Sequence, residues 1–270
     1  MIRKLYLQNK SGEVYYFDYR SATLISNLDG LGFEHDLTYL KYGNVYDRVD
    51  RASTLTEIKA TLTFLKGYRG YTSFLEYLKG VDDEFTLYYG INEFKYCKVD
   101  IKSISKSEIA YGVLQCGIIF NKLSPWLKEK VVSIEANGDS TGKVYPFTYP
   151  YTYSKSYEGR INISNTGITK APLKVEIYPE VNILKNNEII SKLKLYLESD
   201  DCLITVSADS INQFMQITES GITRNIYENQ DFTCDNFLFL EPGEYLIEFK
   251  PGVASVTNCR ITLTEGYLGT

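Results

Sequence analysis

The sequence predicts a mainly β protein, with a β-sandwich or split barrel carrying one short α-helix in the first half and a sandwich or jelly roll in the second. Long stretches alternate apolar and polar residues with period two, as strands with one buried face do. Only one segment of the first half has convincing helical periodicity. Closely spaced turn sequences separate short strands throughout the second half. The 270 residues are 44% hydrophobic and 23% charged, which suits a globular chain with a sizeable core.

The first strands are predicted to form a hairpin. Segments Lys4–Gln8 and Val14–Tyr19 flank a polar turn that ends in Gly12. The polar stretch Ser26–Asp50 has apolar residues at no clean period, which suggests loops and short strands. Segment Thr56–Phe64 then alternates cleanly and predicts a strand.

The helix is predicted over Tyr71–Lys79, because its apolar residues fall at i, i+3, i+4 and i+7. Ser73 with Glu76 fits a capping box, and Gly80 stands where a C-terminal cap belongs. A single short helix between strands is expected to cover one side of a sheet.

The stretch Glu84–Trp126 predicts a three-stranded meander with turns at Ile91–Glu93 and Ser103–Ser107. Pro125 ends the ladder, because proline lacks an N–H and restricts the residue before it. Trp126 is the only tryptophan of the chain and is interpreted as a packing residue at a domain junction.

The domain boundary is predicted near the loop-forming residues 137–142, which gives domains of residues 1–135 and 136–270. The segment Tyr145–Tyr153 alternates aromatic residues with prolines and cannot form a central strand. It is interpreted as a connector with buried rings. Eight strands are predicted beyond it: 160–164, 173–178, 193–197, 203–208, 223–227, 235–240, 245–250 and 259–264.

Composition and motifs argue against catalysis, metal binding and nucleic-acid binding. His35 is the only histidine, the five cysteines have no CxxC spacing, and no phosphate-binding or hydrolase motif occurs. Adjacent acids such as Asp200-Asp201 are typical of solvated turns rather than of a glycosidase pair. The net charge is -5, without a basic cluster. No signal-like or membrane-spanning segment is found, so we expect synthesis in the cytosol. The cysteines are expected to be free buried thiols. No cofactor is expected.

Taken in order, several segments resemble the distal tail protein (Dit) family of siphophages that infect Gram-positive hosts. The resemblance covers nearly the whole chain, and the order and spacing of its segments are more specific than any one of them. They are the strand–helix–strand run Leu55–Tyr89, the meander from Lys95 to Trp126, the aromatic–proline pairs around Tyr145 and Tyr149, and Asn165-Thr166-Gly167 with Glu241-Pro242-Gly243.

This resemblance implies a non-enzymatic baseplate hub at the tail tip of the virion. The N-terminal domain would form a hexameric ring through which DNA passes, with the tail tube protein on one face and the tail-associated lysin or tail-tip protein on the other. The C-terminal domain would be a galectin-like, carbohydrate-module-like sandwich. Receptor-binding proteins are further possible partners, although no inserted arm to grip them is evident.

Two sets of residues follow as hypotheses. The ring interface is placed on the strand Thr56–Phe64 and the hairpin around Ile91–Tyr96, at Ile58, Lys59, Ile91, Asn92, Phe94 and Tyr96. The domain junction is placed at Pro125, Trp126, Tyr145, Tyr149 and Tyr151. The alternative function is a carbohydrate-binding module that recognises cell-wall glycan through the C-terminal sandwich. A glycan-cleaving tail enzyme is disfavoured.

Overall fold

The computed structural model describes residues 3–53, 56–79, 84–135, 159–176, 180–196, 203–219, 221–250 and 258–270. Strands dominate these residues, and their one α-helix lies in the first half, so the predicted mainly β fold is confirmed. The predicted linker and the aromatic–proline segment around Tyr145, Tyr149 and Tyr151 lie outside the described residues.

The chain forms two compact units. Unit 1 consists of Met1–Lys128 with Tyr267–Thr270, and unit 2 of Glu129–Gly266. The domain boundary after residue 135 stays a prediction.

Unit 1 is built on one continuous ladder of antiparallel strands in the order β3-β6-β9-β8-β7-β1-β2. Two further strands, β4 and β5, pair with each other in a separate sheet, and β10 begins at the last residues of the unit. The strands are β1 (Lys4–Asn9), β2 (Val14–Tyr16), β3 (Thr23–Asp29), β4 (His35–Tyr42), β5 (Val45–Ser53), β6 (Thr56–Phe64), β7 (Phe85–Gly90), β8 (Phe94–Lys106), β9 (Leu114–Lys122) and β10 (Trp126–Glu135).

The long strand β8 belongs to both halves of this ladder. Its first residues pair with β7 and its last residues with β9, and a β-bulge between Ile101 and Ser103 separates the two parts. A bulge bends a strand and increases its twist. The apolar faces of both halves meet in one cluster, which includes Leu7 and Leu87 from one half and Leu62 and Phe120 from the other. Unit 1 is therefore a sandwich formed by a single sheet.

Helix α1 (Tyr68–Lys79) begins three residues earlier than predicted. Ser73 consequently lies inside the helix, so the predicted capping box is wrong. Phe74 and Tyr77 are its buried side chains, and the Tyr77 hydroxyl donates a hydrogen bond to the Leu7 carbonyl oxygen at 3.0 Å. The helix thus covers one side of the sheet as expected, although its buried face is rotated toward Tyr77.

Two further expectations for unit 1 are corrected. The stretch interpreted as loops and short strands contains β4 and β5, which are eight and nine residues long. The second meander turn does not lie at Ser103–Ser107, because the bulge lets β8 continue to Lys106. The chain instead turns at Tyr111 and Gly112, which have φ angles of 54° and 81°.

Unit 2 is a sandwich of two antiparallel sheets. One runs β17-β16-β15-β12-β20, with β18 on β12, and the other runs β11-β19-β13-β14. One apolar cluster holds residues from both sheets, such as Val206 and Leu263 from the first and Ile183 and Ile247 from the second. The strands are β11 (Gly159–Asn165), β12 (Ala171–Glu176), β13 (Glu180–Lys185), β14 (Glu188–Lys194), β15 (Leu203–Ser207), β16 (Phe214–Glu219), β17 (Ile222–Asn225), β18 (Phe239–Leu240), β19 (Gly243–Lys250) and β20 (Asn258–Tyr267).

The sequence prediction missed two of these strands. In β13 four consecutive residues, Val181 to Leu184, are buried, so its burial pattern does not alternate. Strand β16 is short but does alternate, with Met215 and Ile217 buried. The strand predicted over 235–240 shrinks to β18, and the one over 223–227 ends before a 3-10 turn at Tyr227–Asn229.

Candidate interaction surface

Strands β4 and β5 form a hairpin that closes at Gly43 and Asn44. Gly43 has a φ of 63°, which glycine adopts without the steric cost of a side chain. Among the described residues the two strands pair only with each other. A bulge between Thr38 and Tyr39 shifts their register.

The hairpin exposes apolar side chains on both of its faces. Tyr42 pairs with Val45 on one face, and Tyr46 pairs with Lys41 on the other. Seven large apolar or aromatic side chains of the hairpin are between 41% and 67% exposed: Leu37, Tyr39, Leu40, Tyr42, Val45, Tyr46 and Val49.

Such a hairpin is a candidate contact element. A two-stranded hairpin has marginal stability in water by itself, and monomeric proteins rarely expose large contiguous apolar patches. Covering Tyr42, Val45 and Tyr46 with another protein surface would remove apolar area from water and satisfy the open strand edges.

A second aromatic surface crosses four strands of unit 1. Tyr16, Tyr6, Tyr88 and Tyr96 are direct cross-strand neighbours on β2, β1, β7 and β8, and we call them the tyrosine row. Successive ring centroids lie 5.6, 4.6 and 5.5 Å apart. All four side chains are half-buried. Burial and the neighbouring tyrosines raise the pKa of the Tyr6 phenol. Cross-strand aromatic pairs of this kind stabilise a sheet and leave polar tips for contacts.

The predicted ring-interface residues are distributed unevenly over the surface. Ile58 is fully buried on β6, which pairs on both edges, so it offers no surface to a neighbour. Lys59 is exposed and forms an ion pair with Glu57 at 3.2 Å. Tyr96 belongs to the tyrosine row, and the Phe94 ring lies 5.4 Å from that of Tyr6.

The first meander turn carries the other two residues of that set. Ile91 is half-buried and Asn92 is exposed. The turn is tight, since a Cβ at Gly90 would lie 2.1 Å from the Glu93 carbonyl oxygen. The role of these residues and of Lys59, Phe94 and Tyr96 in an interface stays a prediction.

Trp126 is completely buried in the unit 1 core. Its ring centroid lies 6.2 Å from that of Tyr89, and its Nε1–H donates a hydrogen bond to the Leu31 carbonyl oxygen at 2.8 Å. Pro125 beside it is exposed. The assignment of both residues to a domain junction stays a prediction.

Reactive chemistry is sparse in the part of the chain that the structure describes. No group of three or more His, Cys, Asp or Glu side chains there could hold a metal ion. Cys97 and Cys116 are free and buried, as predicted, whereas Cys234 is free but only half-buried. Burial raises the pKa of the Cys97 thiol to about 12, so it is a poor nucleophile at neutral pH. No helix among the described residues has the length and apolar character needed to cross a bilayer.

Residues 4–123 match the family model described as the distal tail protein, N-terminal domain. Unit 1 of the chain therefore contains a domain that matches the N-terminal domain of distal tail proteins. The hairpin and the tyrosine row both lie within the matched residues.

Solved structures share the fold over the whole chain. A chain of the activated phage P2 baseplate with Ca²⁺ is 15% identical with a TM-score of 0.68, and the match covers 100% of both chains. The same baseplate with Sr²⁺ gives the same values. The SPP1 Dit (gp 19.1) protein, described as a paradigm of the hub adsorption apparatus in Gram-positive-infecting phages, is 10% identical with a TM-score of 0.65. That match covers 99% of this chain and 100% of SPP1 Dit. The curated proteins contain no match.

Proposed function

We propose that this chain is the structural hub of a phage baseplate, in which six copies close into a ring through unit 1. The ring continues the tail tube at the tail tip and contacts the tail tube protein on one face and the tail-tip protein on the other. Its role is mechanical rather than enzymatic. The distal tail protein match of unit 1 supports this function.

The observation that carries the proposal is the hairpin of β4 and β5. A ring needs a heterologous contact, in which one surface of a subunit meets a different surface of the next. The hairpin supplies the first surface, because it exposes apolar side chains without pairing to another described strand of its own chain. Half-buried aromatic surfaces such as the tyrosine row are suitable for the second.

The finer arrangement follows the family resemblance. Receptor-binding proteins could attach through unit 2, and DNA would pass through the bore of the ring without specific contacts. The net charge of -5 is compatible with this passage, since a strongly basic bore would hold DNA by its phosphates.

The mass of the purified protein in solution tests the ring. Light scattering coupled to size-exclusion chromatography should give six times the chain mass of 30.9 kDa, alone or after addition of the tail-tip protein. Tyr46→Glu places a charge on the hairpin and should shift the protein to monomers. Tyr111→Glu makes the same change at a fully exposed tyrosine outside the hairpin and should leave the ring intact.

Two results would contradict the proposal. The first is a monomer under both conditions, since a hub must assemble when its partner is present. The second is a ring that survives Tyr46→Glu as well as Tyr111→Glu does, which would exclude the hairpin as the contact. Circular dichroism of each variant verifies that the fold is retained.

A further inference from the structure

The segment Tyr267–Thr270 belongs to unit 1, although the residues that precede it in the sequence form unit 2. Tyr267 packs against the unit 1 core, and Leu268 and Gly269 are half-buried. The match to the distal tail protein domain, residues 4–123, does not include this segment. It is nevertheless part of the packed structure of unit 1, and we call it the strap.

Lys95 on β8 contacts the strap at two points. Its ammonium donates a hydrogen bond to the Gly269 carbonyl oxygen at 2.9 Å and lies 4.1 Å from the centre of the Tyr267 ring. A cation is attracted to an aromatic face within about 6 Å of the ring centre. Lys95 is half-buried, so these contacts replace part of the water that would surround an exposed ammonium.

The strap lies against the loop that leads into the β4–β5 hairpin. A Cβ at Gly269 would lie 3.7 Å from the Leu31 carbonyl oxygen and 3.8 Å from the Gly32 Cα atom, which are van der Waals distances. Strand β4 begins shortly afterwards, at His35. The strap therefore contacts the chain next to the base of the hairpin.

Two buried side chains bind the same loop. The Trp126 Nε1–H donates to the Leu31 carbonyl oxygen at 2.8 Å, and the Lys122 ammonium donates to the Gly32 carbonyl oxygen at 3.0 Å. Both donors are buried in unit 1. The loop is thus held by two core side chains and, in addition, by the strap.

The chain that leaves the hairpin packs against the same loop. A Cβ at Gly30 would lie 1.9 Å from the Glu57 carbonyl oxygen near the start of β6, and only glycine permits this approach. The hairpin pairs with no other described strand. Its position in unit 1 therefore depends on how firmly this base is held.

We propose that the strap, through Lys95, fixes the loop at the hairpin base and keeps the hairpin in the position from which it can contact a second copy of this chain. Unit 1 is then complete only after the residues that follow unit 2 have been synthesised and have docked. The effect on the hairpin does not require a ring, whereas the effect on assembly rests on the function proposed above.

Hydrogen exchange of the full chain tests the strap in two variants. Lys95→Met keeps the aliphatic stem and removes the donor, and Tyr267→Ala removes the ring that the ammonium contacts. In both variants, peptides over residues 33–53 should exchange at least about tenfold faster, because hydrogen bonds from charged donors are stronger than neutral ones. Peptides over residues 114–122, in β9, should keep the wild-type rate.

Lys98→Met is the matched control. Lys98 lies on the same strand but on its opposite face, where its ammonium forms an ion pair with Glu84 at 2.8 Å. This variant should leave the exchange of the hairpin unchanged. The proposal is overturned if either strap variant retains the wild-type exchange of the hairpin. It is also overturned if β9 accelerates as much as the hairpin, since the strap would then stabilise unit 1 as a whole.

Light scattering of the same variants separates the strap from the ring. We expect both strap variants to shift from hexamers toward monomers under conditions in which the wild type is a hexamer. Faster exchange of the hairpin in a ring that stays intact would support the strap and contradict the hairpin as the ring contact.

Discussion

The cores of the two units differ in chemistry. Among the described residues each unit has a main cluster of 20 buried side chains, of which nine are aromatic in unit 1 and two in unit 2. In unit 1 the rings fill the space between helix α1 and the sheet, where Phe74 lies near Tyr15, Phe64 and Tyr77. Unit 2 packs sheet on sheet, and β-branched side chains fit facing pleated surfaces well. The tyrosine-rich composition of the chain therefore reflects unit 1 more than unit 2.

The largest loss of stability is expected when the phenyl ring under helix α1 is removed. Phe74 is completely buried, so Phe74→Ala should lower the free energy of unfolding by about 3–5 kcal/mol. Urea unfolding followed by Trp126 fluorescence reports this directly, because the only tryptophan lies in the same core.

Phe232→Ala is the control, because Phe232 is 77% exposed in unit 2. It should change stability by less than about 0.5 kcal/mol. A cost below about 2 kcal/mol for Phe74→Ala would mean that the aromatic cluster does not fix the helix.

In unit 2, buried polar side chains hold the loop that follows β11. The Asn165 amide donates to the carbonyl oxygens of Thr169 and Leu240 at 2.9 and 2.8 Å, and its Oδ1 accepts from the Gly167 N–H at 2.9 Å. The nearby Glu265 carboxylate, also buried, accepts from the Thr166 N–H at 2.6 Å.

Asn165→Ala should therefore destabilise unit 2 by at least about 1–3 kcal/mol, the cost of a single unmet buried group. Hydrogen exchange of the peptide over residues 159–176 measures it without any signal from unit 1. Asn225→Ala is the matched control, since the Asn225 side chain is exposed and accepts one bond from the Tyr227 N–H. Equal exchange in both variants would show that Asn165 is dispensable.

Raised pKa values make unit 1 sensitive to alkali. Burial raises the pKa of the Tyr77 phenol, with the Glu13 charge adding to it, and burial raises that of Cys97 to about 12. In the unfolded chain these groups ionise near pH 10 and 8.5. The unfolded state therefore binds fewer protons above about pH 9, and stability is lost as pH rises toward the folded pKa values. Buried Lys122, whose pKa burial lowers, opposes this trend.

The Tyr77→Phe variant separates these contributions. The free energy of unfolding of the wild type should fall between about pH 9 and 12, and the variant should show a shallower fall above about pH 10. Urea titrations followed by Trp126 fluorescence at each pH measure both slopes. Parallel slopes would show that Tyr77 does not carry the alkaline sensitivity.

Elements whose apolar residues recur regularly were predicted well from the sequence, and strands with an irregular apolar pattern were predicted poorly. Apolar periodicity located the helix and Phe74, but Tyr77 was missed, because its burial depends on a bond to Leu7 on a strand 70 positions away. The β4–β5 hairpin looked like loops because its apolar residues lie on both faces and a bulge after Thr38 shifts their period. Strand β13 was missed because four consecutive residues of it are buried, which leaves no apolar–polar alternation.

Surfaces assembled from distant segments could not be predicted from the sequence. The alternation in β7 already turned Tyr88 away from the core, yet only the register of four strands places it beside Tyr6 and Tyr96. The strap contact likewise joins Lys95 on β8 to Gly269, which lies 174 positions later. No local pattern encodes such a combination, because register is fixed by the packed core of the whole unit.

The smallest effect is expected in the aliphatic core of unit 2. Ile247 is fully buried and lies between Ile161 on β11 and Ile183 on β13, its direct strand partners. Ile247→Val keeps the β-branch and removes one methylene group, so it should cost about 0.5–1.5 kcal/mol. Hydrogen exchange of the peptide over residues 180–194 measures it.

Ile247→Phe keeps the site apolar but adds volume between two closely packed sheets, and should cost about 1–3 kcal/mol. An Ile247→Phe variant with unchanged stability would contradict this account. Sheet-on-sheet packing would then not require aliphatic side chains, and it could not explain why the core of unit 2 has fewer aromatic residues than the core of unit 1.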